Sequence, residues 1–152
     1  MIAIESGEFL YEAKVSFTKI VEYGLSLEAL GSGDASLPAA GARFDHHFQG
    51  VLRGPRLSGT LTGIDYVHMR ADGHAQQVHA HAQLVTEDGG SIAYFVDGVA
   101  LPQQGTSEWL LRHTVSFITA SPAYAWLNEV QGRGQGAIHA GKGEVAVKVC
   151  AA

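Results

Sequence analysis

The sequence predicts an all-β chain folded into a single antiparallel barrel of about eight strands, and three observations carry that prediction. Nineteen glycines recur at the ends of short runs, which is the punctuation of a protein with many turns. The runs between them alternate apolar and polar residues with the period of a strand. Few of those runs carry the charges or prolines that guard an exposed sheet edge, so closure is preferred over an open sandwich.

The elements follow in order. FLYEAKVSF (9–17) sets Phe9, Tyr11, Ala13, Val15 and Phe17 on one face, with Glu12, Lys14 and Ser16 on the other. Residues 19–30 have weak helical periodicity, and GSGDASLPAAG (31–41) reads as a loop. GARFDHHFQG (41–50) is the next strand, and RLSGTLTGIDYVHMR (56–70) follows with glycines at 59 and 63 that suggest bends or bulges. QQVHAHAQLVT (76–86) runs through the turn EDGG (87–90) into SIAYFVDGV (91–99), a hairpin signal. SEWLLRHTVSFITA (107–120), AYAWLNEVQG (123–132) and GEVAVKVC (143–150) complete the set, with GRGQG (132–136) read as a turn. No fixed-period repeat and no linker divides the chain, so 1–152 is expected to form one domain.

Bulk properties exclude several classes. A net charge of −5 without a basic run argues against nucleic acid and against an anionic membrane surface. No apolar stretch approaches a membrane helix, and the first residues, MIAIESGEFLYEAK, lack the pattern of a secretory signal. Cys150 is the single cysteine and cannot form an internal disulfide, which suits a reducing compartment; the expected location is the cytoplasm. There is no G-x-S-x-G elbow and no G-x-G-x-x-G before a helix, so neither a serine nucleophile nor a dinucleotide site is indicated. No cofactor is implied.

The chemistry-bearing residues sort by strand face. Gln77, His79, His81 and Gln83 share one face, and Val78, Ala80, Ala82 and Leu84 the other. Periodicity alone leaves open which set is inside. Asp65 shares its side with Leu61, Val67 and Met69, so its carboxyl is expected to be desolvated and its pKa raised, unless an arginine such as Arg43 pairs with it. Arg43, Asp45 and His47 point one way and Phe44, His46 and Phe48 the other, so one of the two adjacent histidines must face in. Read as a strand, AYAWLNEV places Tyr124, Trp126 and Asn128 together as a wall with hydrogen-bonding tips, although Trp126 by itself reads first as core. His68, His74, His113 and His139 have no partner at a diagnostic spacing and read as surface or satisfied polar residues.

Three segments in chain order, GARFDHHFQGVLRGPRLSGTLTGIDYVHMRADG (41–73), QLVTEDGGSIAYFVDGV (83–99) and FITASPAYAWLNEVQGRGQG (117–136), carry a family resemblance. The chain resembles the domain-of-unknown-function family 3237 through its T-x-x-x-Y-x-W-L-N block, Thr119 to Asn128, and its T-x-D-G turn, Thr86 to Gly89. That resemblance implies a calycin-like, lipocalin-like barrel with a central ligand pocket. It also implies a homodimer, and some relatives look like accessory enzymes of aromatic or polyketide metabolism. Where the family pattern reads l-D-v-R, this chain reads V-H-A-H, so an acidic and a basic position fall on His79 and His81. The resemblance therefore favours an inward-facing imidazole pair, since such alternating positions look like pocket groups.

The expected function follows from these readings. A small hydrophobic, aromatic or polyketide-like carbonyl compound would be bound by Arg43, His47, Trp126 and Asn128. His79, His81, Asp65 and Tyr124 would act as metal-free general acids and bases in an isomerase, cyclase or lyase, because imidazole suits proton transfer near neutral pH. The first alternative is a metal site similar to the His-x-His of cupins, with Glu87 and His47 as further ligands, though Glu87 stands at the wrong spacing. The second is a non-catalytic carrier of a small ligand.

Overall fold

The computed structural model describes residues 4–152. Its strands are β1 (Phe9–Glu22), β2 (Ala42–Arg53), β3 (Ser58–Met69), β4 (Gln76–Thr86), β5 (Ser91–Pro102), β6 (Glu108–Ile118), β7 (Gln131–His139) and β8 (Glu144–Ala151), with one short helix, α1 (Leu27–Ser32). Each strand pairs antiparallel with its neighbour in sequence, and β8 returns to β1. The result is a closed up-and-down barrel, an all-β fold as the sequence predicts, in which no strand is left with an unpaired edge. Among the described residues no helix is long and apolar enough to cross a membrane.

Alternation decides what fills the barrel. Tyr11, Leu52, Leu84, Ile92 and Val149 are fully buried, and their chain neighbours Glu12, Arg53, Val85, Ser91 and Lys148 face solvent. Each buried aliphatic side chain contributes roughly 1.5–3 kcal/mol relative to exposure. The hydroxyls of Tyr11 and Tyr94 meet at 2.7 Å inside the barrel, so neither polar tip is stranded.

The two ends differ. At one end a 3-10 helix over Pro122–Glu129 follows β6 and sets Leu127, wholly buried, into the core as a plug. The alternation in AYAWLNEVQG predicts a strand here. Pro122 instead opens a helical turn, and Asn128 closes it by accepting the Thr119 amide (2.8 Å) and donating to the Thr119 carbonyl (2.9 Å). Thr119 in turn donates its hydroxyl to the Ser91 carbonyl (2.7 Å). The Tyr124 hydroxyl reaches Asp88 in the β4–β5 turn (2.7 Å), and a methyl on Gly90 would lie 2.8 Å from the Tyr124 ring. The two recognisable sequence blocks thus dock on each other and seal this end.

The opposite end carries the long β1–β2 connection. β1 runs further than its sequence pattern, to Glu22, and the helix begins only where the Ser26 hydroxyl accepts the Ala29 amide (3.1 Å). It ends at Gly33, whose φ of 83° is left-handed, and it buries no residue of its own. GRGQG is not a turn but the body of β7. Its glycines 132, 134 and 136 all face inward, where Val149, His113 and the β8 backbone leave no room for a β-carbon. Gly59 and Gly63 introduce no bulge against β2, whose register with β3 is unbroken from Ala42–Met69 to Arg53–Ser58.

Candidate functional site

The β4 strand settles the face of its histidines. Val78, Ala80 and Leu84 are buried in the core, while His79 and His81 are exposed on the outside of the barrel. The expectation of an inward imidazole pair is corrected: Val78, Ala80 and Leu84 pack inside with Tyr94 and Val96 in one apolar core, and burying two imidazoles there would strand their nitrogens. Outside, His79 Nδ1 donates to Asp97 Oδ1 (2.6 Å), with the imidazole side chain 52% exposed. The two rings stand 4.8 Å apart, and His81 packs edge-on to Tyr66 and Phe95.

Arg43 and His47 lie on the same outer surface. Arg43 donates to Asp45 (2.9 Å) and covers the Tyr66 ring at 4.8 Å; the Tyr23 hydroxyl donates to the other Asp45 oxygen at 2.5 Å. Partial burial opposes ionisation of Asp45, but these two donors hold its pKa below the usual value. Tyr124, Trp126 and Asn128 belong to the plug: Tyr124 bonds Asp88, Trp126 stacks under Arg56 at 4.8 Å, and Asn128 holds Thr119. None of these lines the interior cavities described next. As for the metal alternative, no group of three or more His, Cys, Asp or Glu among the described residues could hold an ion.

Of the residues expected to act on or bind the substrate, Asp65 is the one that lines the interior cavities. Two adjoining spaces occupy the barrel. A small inner chamber of about 70 Å³ is walled by Val15, Leu61, Val78, Val96, Leu111 and Val147. A mouth of about 910 Å³ lies above it, bordered by Lys19, Trp109, Met69 and the α1 residues Leu27 and Leu30. Phe17, Asp65 and Ile138 line both, and the level at which they stand between the two is called the neck. A shallower concavity of about 880 Å³ on the outer surface, with Arg112, Arg133 and Lys148 around it, is open to solvent on one side and is also lined by Asp97 and His113, but not by Asp65.

Asp65 is held at the neck by a defect in the sheet. β3 and β4 pair up to Asp65–Ala80 and again from His68–Gln77, but Tyr66 and Val67 have no partners in between. The Asp65 Oδ1 fills that gap by accepting the His79 backbone amide (3.1 Å). Its Oδ2 has no hydrogen bond among the described residues. Desolvation pushes the Asp65 pKa up to about 6, although the His79 amide and imidazole pull the other way. A carboxylate tuned to that range can exchange protons near neutrality.

Two imidazoles accompany it. His46, paired across the strands with Asp65, lines the mouth and packs edge-on to Phe17 at 4.8 Å. His113 lines the inner chamber. Both are buried, at 7% and 5% exposure, and burial lowers both pKa values, that of His113 to about 4. Neither Nδ1 finds a hydrogen-bond partner. The sequence had required either His46 or His47 to face in; His46 does. His113, which by spacing reads as a surface or satisfied polar residue, is instead buried and unpartnered at Nδ1. Its signal was its place in the apolar series Leu111, His113, Val115, Phe117, which is the inward face of β6.

The fold and this interior define a closed eight-stranded β-barrel with a small polar set inside an apolar cavity. The chain matches the model of the family described as protein of unknown function (DUF3237) over residues 17–152, and it belongs to that family. A β-barrel-like protein from Acinetobacter baumannii AYE shares 22% identity at a TM-score of 0.77, covering 99% of this chain and 97% of the other. A conserved protein of unknown function from Rhodopseudomonas palustris has 18% identity, a TM-score of 0.75 and 99% coverage of both chains. An enzyme from Penicillium herquei has 22% identity and a TM-score of 0.64, again over 99% of each. No curated protein matches the sequence.

Proposed function

We propose that this barrel binds a small, largely apolar carbonyl compound at its mouth and that Asp65 removes and returns a proton on it. The reaction class is isomerisation, cyclisation or a retro-aldol-type cleavage. The observation that carries the reading is the Asp65 carboxylate at the neck, anchored through one oxygen with the other free, and with its pKa near 6. A base anchored at one oxygen loses little freedom on reacting, and an apolar wall keeps competing water from the carbanion. His46 lies across the strands from it, with burial lowering its pKa and so favouring the neutral ring, and would donate a hydrogen bond to a developing enolate, as a neutral imidazole can. The likeness to a Penicillium herquei enzyme is in keeping with a catalytic role.

The test uses 2-tetralone, an apolar ketone with acidic α-protons. In deuterated buffer the protein should accelerate exchange of those protons, with a rate that rises with pH and levels off above about 6 as Asp65 ionises. Asp65→Asn, which keeps an acceptor for the His79 amide, should reduce the exchange at least a hundredfold. Equal exchange by the variant would reject Asp65 as the base.

A further inference from the structure

His113 is inconvenient as a core residue. It sits at 5% exposure with Nδ1 unpartnered, and it faces a chamber whose other polar groups are Asp65 and Tyr94. The Tyr94 hydroxyl already has one partner, the Tyr11 hydroxyl at 2.7 Å, whereas the His113 Nδ1 has none. A leucine would fill the same space without stranding a nitrogen, so packing does not account for an imidazole there.

The flanking strands are also shaped around it. His113 pairs with Gly98 on β5 and Gly134 on β7. A methyl on Gly134 would stand 2.3 Å from the imidazole Cε1 and 2.5 Å from Nε2; one on Gly98 would meet the Arg112 carbonyl at 2.3 Å and the His113 β-carbon at 2.7 Å. Neither strand offers a side chain that could partner the ring, and Gly134 leaves the space the ring occupies. The chamber it faces, about 70 Å³, has room for roughly two water-sized groups. That is the size of a ligand's polar tip, not of its body.

We infer that His113 is the ligand-recognising group at the inner end of the pocket, taking the hydroxyl of an uncharged phenol or alcohol whose apolar body occupies the neck and mouth. This rests on the reading of the cavity as a ligand pocket given above and narrows its ligand class. The imidazole is uncharged over the physiological range, since burial holds it near 4, so it supplies one donor and one acceptor and does not attract an anion. The Asp65 carboxylate at the neck further disfavours an anionic ligand.

The test compares 4-propylphenol with propylbenzene, which differ by the hydroxyl alone. Titration calorimetry should show the phenol binding the wild-type protein about tenfold tighter or more, and His113→Phe should bind both equally. Equal binding of the two probes to the wild type overturns the role of His113 and leaves the pocket reading intact. Binding of neither overturns the pocket reading and this inference with it. A phenol preference that survives in His113→Phe also overturns it. Should that variant fail to fold, the imidazole nitrogen resonances of His113 in the wild type decide: they shift with the phenol and not with propylbenzene, or the inference is wrong.

Discussion

A methyl group placed on Gly134 would come within 2.3 Å of the His113 ring, so the glycine on β7 and the histidine on β6 occupy one shared volume inside the barrel. Gly134→Ala should therefore cost about 1–3 kcal/mol by overpacking. Shortening the partner in Gly134→Ala/His113→Ala should recover about 1 kcal/mol or more relative to the sum of the single changes. Gly98→Ala meets the Arg112 backbone instead, at 2.3 Å, and should show no such recovery. Denaturant unfolding of the wild type, the three single variants and the two double variants with His113→Ala measures the couplings; additive losses at Gly134 would refute the shared volume.

Asp65 makes a signed prediction about pH. Its pKa rises from an ordinary 3.8 to about 6 on folding, so between those values the folded chain holds a proton that the unfolded chain has released. Raising the pH through that window therefore lowers stability. The loss approaches 3 kcal/mol, at about 1.4 kcal/mol per pKa unit. Asp65→Asn has no such penalty and should gain on the wild type by up to that amount between pH 3.5 and 7.5. His113 has the opposite sign: its pKa falls to about 4, and stability drops as the pH falls from the ordinary imidazole value toward that number. Parallel stability curves for wild type and Asp65→Asn would show that the carboxyl is not perturbed.

His79 and His81 offer a contrast. The exposed His79–Asp97 pair is screened by solvent, and His81 packs on the outer rings of Tyr66 and Phe95. Replacing either with alanine should change stability by no more than about 1 kcal/mol. Tetralone exchange should stay within threefold of wild type, because the His79 group that touches Asp65 is its backbone amide, which the substitution keeps. Loss of exchange in a folded His79→Ala protein would return the side chain to the site.

Much of the barrel was legible because strand period and turn chemistry are local properties. The Phe9–Phe17 alternation, the Glu87–Gly90 turn and the inward Asp65 follow from residue types a few positions apart. The plug was not legible. Tyr124, Trp126 and Asn128 alternate like strand residues, and the helical turn is stabilised by Thr119 and Asp88, partners 9 and 36 residues from Asn128 and Tyr124. The glycines of β7 also mislead, because in isolation they resemble a turn, and it is the bulk of His113 and Val149 beside them that makes them strand residues.

By itself, then, the sequence determined the all-β class, the barrel and which side chains travel together on the strands it placed correctly. A period of two sorts residues into two sets but does not say which set is inside; that choice belongs to closure, when all eight strands must fill one volume. Closure put Val78, Ala80 and Leu84 inside and left His79 and His81 out. It also brought His46, Asp65 and His113, from three different strands, to the walls of two adjoining cavities that share Asp65.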